Sequence, residues 1–119
     1  MTATYKEERP WGSFEILYEE DRLKVKRITV NPGQRLSLQS HEYRSENWVI
    51  LEGEALVILD EKEIPLTPHQ AVFIPTRAKH RITNRGNIPV VFVEVQTGSY
   101  LGEDDITRYE DDYNRLQSK

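Results

Sequence analysis

Gln39, His41, Glu46 and His80 combine donor types and spacing that suit metal chemistry. Gln39 and His41 lie two apart in LSLQSH (36–41), a stretch that reads as a strand, so both side chains leave the backbone on one face. Glu46 opens the next strand after a short loop, and His80 begins another after Pro75. Two imidazoles, a carboxylate and an amide oxygen make a mixed nitrogen and oxygen set for one borderline or hard divalent ion. Such a set accepts zinc, manganese, cobalt, nickel or iron and leaves coordination positions open for substrate oxygens. Taken singly, each of these residues also reads as an ordinary surface or hydrogen-bonded position; the case for a site rests on the pattern.

The elements that must position them are short strands. Runs at 13–18, 23–30, 36–41, 47–52, 55–59, 71–74, 80–83 and 90–96 are rich in Val, Ile, Leu and aromatic residues, with turn signals such as Asn31-Pro32-Gly33, Glu52-Gly53-Glu54 and Arg85-Gly86-Asn87 between them. Gly53 and Gly86 read as turn residues that need positive φ. Strands at this spacing predict an all-β antiparallel sandwich or barrel. Only the end of the chain reads as a helix. Asp104 and Asp105 suit a helix N-terminus, and Ile106, Tyr109 and Tyr113 then share a face. A short C-terminal helix is expected outside the barrel or against a second subunit. With no linker or repeat, residues 1–119 read as one domain.

Composition excludes several classes. The chain has 119 residues and a net charge of −4, from 16 basic and 20 acidic residues, which disfavours nucleic acid as a partner. Acid gathered at Glu103, Asp104, Asp105, Glu110, Asp111 and Asp112 reads as a solvated surface. Cysteine is absent, so disulfide and thiolate chemistry are excluded. The opening MTATYKEERP lacks the apolar core of a signal peptide, and runs such as WVIL (48–51) are too short for a bilayer. A soluble, cytoplasmic protein with no membrane partner is expected. Exposed sheet edges need covering, and symmetric pairing is the common solution, so a homodimer is expected. Trp11 and Trp48 read as core, and His69 as exposed.

The spacing then supports a resemblance. Gly33, five residues, Gln39-Ser40-His41, four residues, Glu46, six residues and Gly53 resemble the first cupin motif, with Gln in place of its first His. Pro75-Thr76-Arg77-Ala78-Lys79-His80, three residues and Asn84 resemble the second, with Arg77 where Gly is usual. RPWGSFEI (9–16), KVKRITVNPG (24–33), LSLQSHEYRSENW (36–48), HRITNRGNIPVVFVEVQTGSYLGEDDI (80–106) and RYEDDYNR (108–115) resemble one branch, the cupin domain of type II mannose-6-phosphate isomerases. That domain is often fused behind a mannose-1-phosphate guanylyltransferase. No Gly-rich nucleotide-binding loop precedes these stretches, so guanylyltransferase activity is not expected. The resemblance implies a small cupin-type jelly-roll barrel, a metal held by Gln39, His41, Glu46 and His80, and interconversion of mannose 6-phosphate and fructose 6-phosphate. Glu42, Tyr43 and Asn47 stand where the family commonly has His, and Tyr113-Asn114-Arg115 replaces Tyr-Gly-Arg. None of these changes removes a ligand. A missing His that served proton transfer would leave a non-catalytic, metal-containing sugar-phosphate-binding cupin. A cupin oxygenase or lyase is a further alternative, disfavoured by Gln39 and by the flanking stretches.

Isomerisation removes a proton from the carbon beside a carbonyl and builds charge on oxygen. A divalent metal stabilises that enediolate, and a base moves the proton between C1 and C2. Glu94 is a candidate base. It shares a strand face with Phe92 and Gln96, opposite Val91, Val93 and Val95; both faces are largely apolar, so the pattern leaves open which one turns inward. Arg44, inside the ligand loop, offers a guanidinium for phosphate or sugar oxygens and is a candidate in both catalysis and substrate binding. Lys26 joins the catalytic candidates and Arg108 the substrate-binding ones. An exposed surface position is the alternative for each of the three cations.

Overall fold

Side-chain alternation along the strands builds this fold and places its chemistry. The computed structural model describes residues 5–115. In chain order its strands are β1 (Tyr5–Arg9), β2 (Gly12–Glu20), β3 (Leu23–Val30), β4 (Leu38–Ser40), β5 (Arg44–Glu52), β6 (Ala55–Leu59), β7 (Lys62–Leu66), β8 (Ala71–Ile74), β9 (His80–Asn84), β10 (Val90–Gly98) and β11 (Thr107–Glu110). They form two antiparallel sheets, ordered β1-β2-β3-β10-β5-β8 and β11-β4-β9-β6-β7. Among the described residues there is no helix, and so none long and apolar enough to cross a membrane.

Inward-facing residues change character along each central strand. β10 buries Val90 and Phe92 at one end and Glu94 and Gln96 at the other, while β5 runs from Ile50 and Trp48 to Glu46 and Arg44. β3 does the same with Val30 and Ile28 against Lys26 and Lys24. The apolar ends meet Val57, Ile82 and Ile74 in one core between the sheets. Each large side chain sealed there, such as Phe92 or Ile50, contributes roughly 1.5–3 kcal/mol. Of the polar ends, Lys26, Arg44, Glu46 and Glu94 line a cavity. One side of the barrel therefore supplies stability and the other supplies chemistry.

The strands read from sequence are present, with β1, β7 and β11 in addition. β1 (YKEER) and β7 (KEIPL) are charged edge strands whose stability comes from backbone pairing with β2 and β6, so apolar periodicity does not mark them. The expected C-terminal helix is not formed. Thr107 and Arg108 instead pair with Ser40 and Gln39 on the open edge of β4. Burial there alternates with a period of two: Ile106 and Arg108 are half-buried, while Thr107 and Tyr109 are exposed. Two strand-forming side chains beside an unpaired edge outweigh the helical spacing of Ile106, Tyr109 and Tyr113. Gly53 takes φ +83°, as a turn residue must. Gly86 is not in that region; the Asn84 side chain builds its turn by accepting the Gly86 N–H at 2.9 Å.

Candidate metal centre

Pairing of β4 with β9 sets Gln39 opposite His80, and the chain just after β4 brings His41 alongside, with its ring 5.0 Å from that of His80. The His41 Nδ1 lies 2.7 Å from the Asp105 carbonyl, and the His80 Nδ1 lies 3.0 Å from the Ala78 carbonyl. A carbonyl only accepts, so each Nδ1 carries the proton and each Nε2 keeps its lone pair. Glu46 enters from β5, with Oε2 3.3 Å from His41 Nε2. Ligand atoms of His41, Glu46 and His80 lie within 4.8 Å of one another, and all three residues are buried. Gln39 lines the same cavity of about 120 Å³, its amide nitrogen 3.5 Å from the Ser37 carbonyl.

Electrostatics prepare these groups. Burial, with help from the charge of Arg44, pulls His41 down to about 4 against the opposing pull of Glu46. Burial likewise lowers His80. Both imidazoles are neutral near pH 7, the form that binds a metal. Burial works to raise Glu46, but the charge of Arg44, joined by the two imidazoles only once they are protonated, outweighs it and brings the carboxyl to about 2. Glu46 Oε1 accepts from Trp48 Nε1 at 2.9 Å, and Oε2 accepts from Arg44 Nε at 2.8 Å. One buried carboxylate and two oriented neutral imidazoles fit a divalent ion. Arg44 Nη2 also lies 3.2 Å from His41 Nε2. A lone pair serves one partner, so an ion bound at that nitrogen displaces Arg44.

The remaining candidates fall around this cluster. Glu94 turns inward and lines the cavity, fully paired across the sheet with Lys26 and Trp48. Burial, then the charge of Glu46, pushes its carboxyl well above the usual range against Lys26 and Arg44. Its Oε2 accepts from Gln96 Nε2 at 2.6 Å. Two carboxyls thus sit together with pKa values driven apart, one ionised and one holding a proton. Arg44 and Lys26 are buried, which overturns the exposed alternative for both: a cavity needs its charged lining turned inward. Lys26 Nζ lies 4.4 Å from the Phe14 ring centre and 3.1 Å from Glu103. Arg108 is half-buried, lines the cavity, and has a buried Nε with no hydrogen-bond partner among the described residues. Trp11 and Trp48 belong to the core, and His69 is exposed.

Sequence reasoning missed Arg9, Arg115, Glu103 and Asp105. Arg9 and Arg115 line the cavity, and their charges reinforce burial in lowering Arg108. Glu103 and Asp105 belong to the acidic stretch read as solvated surface, and they depart from it. Glu103 pairs with buried Lys24 and Lys26. Asp105 accepts the backbone N–H groups of Glu42 and Tyr43, both at 2.9 Å. Their only signal was membership of the stretch running to residue 106, since a carboxylate that binds backbone N–H groups looks like any other in sequence. Glu42, Tyr43 and Asn47, which replace the family's additional His, are exposed, and none lines the cavity.

Residues 1–111 match the family model described as Mannose-6-phosphate isomerase C-terminal. The chain belongs to this family. It is 51% identical over 107 residues to the alginate biosynthesis protein AlgA of Pseudomonas aeruginosa, covering 90% of this chain and 22% of that one. It is 48% identical over 107 residues to a mannose-1-phosphate guanylyltransferase of Klebsiella pneumoniae, covering 90% of this chain and 23% of that one. The chain thus spans about a fifth of the length of these relatives and matches them as a cupin domain. An RmlC-like cupin from Shewanella frigidimarina superposes with a TM-score of 0.69 at 20% identity, covering 77% of this chain and 78% of that one. The architecture is therefore a cupin jelly roll.

Proposed function

We propose that this domain is a metal-dependent aldose–ketose isomerase interconverting mannose 6-phosphate and fructose 6-phosphate, with Gln39, His41, Glu46 and His80 as metal ligands. The observation that carries the reading is the Glu46–Glu94 pair beside two neutral imidazoles in one cavity, in a chain of this family. A bound divalent ion supplies Lewis-acid stabilisation of charge building on the sugar oxygens. Glu94, once ionised, would be the base that takes the proton from one of C1 and C2 and returns it to the other. Lys26, paired with Glu94 across the sheet, offsets negative charge when Glu94 ionises. Arg44, freed from His41 and Glu46, is positioned to meet a sugar oxygen. The phosphate is met by Arg108, whose Nε lacks a partner among the described residues, with Arg9 and Arg115 on the same lining.

The rival is a non-catalytic sugar-phosphate-binding module, which follows if one of the replaced His served proton transfer. Exposure of Glu42, Tyr43 and Asn47 outside the cavity supports the enzyme instead. The absence of cysteine accords with a cytoplasmic setting.

Metal analysis coupled to turnover of mannose 6-phosphate tests this. The expected result is activity that a chelator abolishes and a divalent metal restores, with His80→Ala losing both metal and turnover. Stoichiometric metal without turnover on sugar phosphates would sink the isomerase and leave the binding module. Uptake of no metal would sink the ligand set.

A further inference from the structure

Gln96 is sealed inside the barrel, at 0% exposure, yet it does not line the cavity. It lies two residues from Glu94 on β10, so both side chains leave the strand on one face. The amide Nε2 donates to Glu94 Oε2 at 2.6 Å. The amide oxygen, Oε1, is buried and has no hydrogen-bond partner among the described residues. Lys24, the cross-strand neighbour with N–H groups to give, directs its Nζ to the Leu101 carbonyl at 3.2 Å and to Glu19 and Glu103. An orphaned buried acceptor opposes folding, and an apolar side chain of equal length would not carry one. Stability alone therefore does not account for an amide here; its bond to Glu94 does.

We propose that Gln96 is a positioning residue for proton transfer: it anchors Glu94 Oε2 in the barrel wall and leaves Oε1 as the oxygen that meets the substrate carbon. The proposal rests on the isomerase reading, with Glu94 as its base. The terminal torsion of a Glu side chain is soft, so a carboxylate held at neither oxygen swings. Gln96 removes that freedom from behind, without entering the cavity. In the forward reaction the C2–H bond breaks and its electron pair becomes the C1–C2 double bond, while the carbonyl pair moves onto O1. Glu94 Oε1 takes the proton, since the Gln96 N–H already occupies Oε2. After the O2 hydroxyl proton passes to O1, the carbonyl forms at C2 and the double-bond pair takes the proton back from Oε1 at C1. One fixed oxygen thus serves both carbons, and the carboxyl need not turn between the two steps.

Turnover of mannose 6-phosphate by the metal-loaded full chain, run in water and in D2O, tests the proposal. Gln96→Met keeps the side-chain length and removes both amide atoms. It is expected to lower kcat by about 10–100-fold, with KM and metal content unchanged. In D2O it is expected to put more solvent deuterium into the product than the wild type does, because a loose carboxyl exchanges its proton before returning it. Gln96→Asn, too short to reach Glu94, should share both effects. Should neither variant fold, the wild type decides by NMR: a Gln96 side-chain N–H is expected downfield of the other side-chain amides, and Glu94→Ala should move it back. Wild-type kcat in Gln96→Met, a lower kcat with wild-type deuterium content, or an amide resonance that Glu94→Ala leaves in place overturns the proposal and spares the isomerase. A wild type without turnover, or full turnover in Glu94→Ala, overturns the reading beneath it and the proposal with it.

Discussion

Arg44 and a metal ion want the same atoms. The guanidinium reaches Glu46 Oε2 at 2.8 Å and His41 Nε2 at 3.2 Å, so it neutralises the buried carboxylate when no metal does. Removing one partner of a buried ion pair costs about 3–5 kcal/mol, because the other charge remains desolvated. Metal-free Arg44→Met is therefore expected to melt roughly 12–20 °C below the wild type. A divalent ion replaces the lost cation, so the rise in melting temperature on adding metal should be larger in Arg44→Met than in the wild type. Calorimetric scans with and without metal check both statements, and equal rises would show that Arg44 does not compete.

At the scale of elements, the segment leading into β11 holds the site together. The Asp105 carbonyl orients the His41 ring, its carboxylate holds the Glu42 and Tyr43 N–H groups, and Arg108 pairs with Gln39 two strands from the core. Groups that hold a ligand in place are worth about 10–100-fold in metal affinity. Asp105→Ala is expected to weaken metal binding by about tenfold or more, and Asp105→Asn, which keeps one acceptor, by less. Competition against a chromophoric chelator measures this; unchanged affinity in Asp105→Ala would place control of the ligand loop elsewhere. Arg77 contributes from the other side, donating its N–H to the His41 carbonyl at 2.7 Å from a backbone at φ +68°. Asn114 sits at φ +61°. These are the two positions where the resembling motifs carry Gly. The left-handed conformation costs Arg about 1–2 kcal/mol and Asn less, which is the physical content of those departures.

For the whole molecule, the buried titratable groups set how stability follows pH. His41 has its folded pKa lowered to about 4, and His80 is lowered too. Below about pH 6.5 the unfolded chain takes up protons that the folded chain refuses, so these groups remove stability as pH falls from 6.5 towards 4, by up to about 3 kcal/mol for His41. Glu94 has the opposite sign. Its folded pKa is raised, so its contribution is lost as pH rises above the ordinary carboxylate range. Between about pH 4.5 and 6.5 two histidines oppose one carboxyl, and above that window Glu94 acts alone. Metal-free protein is expected to be most stable near about pH 6.5 and to weaken on both sides. Urea unfolding across the pH range checks this. Glu94→Gln should flatten the alkaline limb, and an unaltered limb would mean that Glu94 is not the group responsible.

Much of this was determined by sequence alone. Two residues apart on a strand share a face whatever the rest of the chain does, so Gln39 and His41 were legible as a pair, and motif spacing added Glu46 and His80. Period-two apolar runs marked the strands that carry the core. Edge strands β1 and β7 were not legible, because backbone pairing rather than apolar pattern holds them. The same cause misread β11: Ile106, Tyr109 and Tyr113 satisfy a helical spacing, and only the unpaired edge of β4 turns the segment into a strand. Which face of β10 meets the cavity was open in sequence, since both faces are apolar there. Its pairing between β3 and β5 turns Glu94 inward and three valines outward. The partners of Arg44, Lys26, Glu103 and Asp105 are likewise tertiary facts. A charged residue reads as solvated until the fold encloses it, and long-range pairing, which no local pattern encodes, does the enclosing.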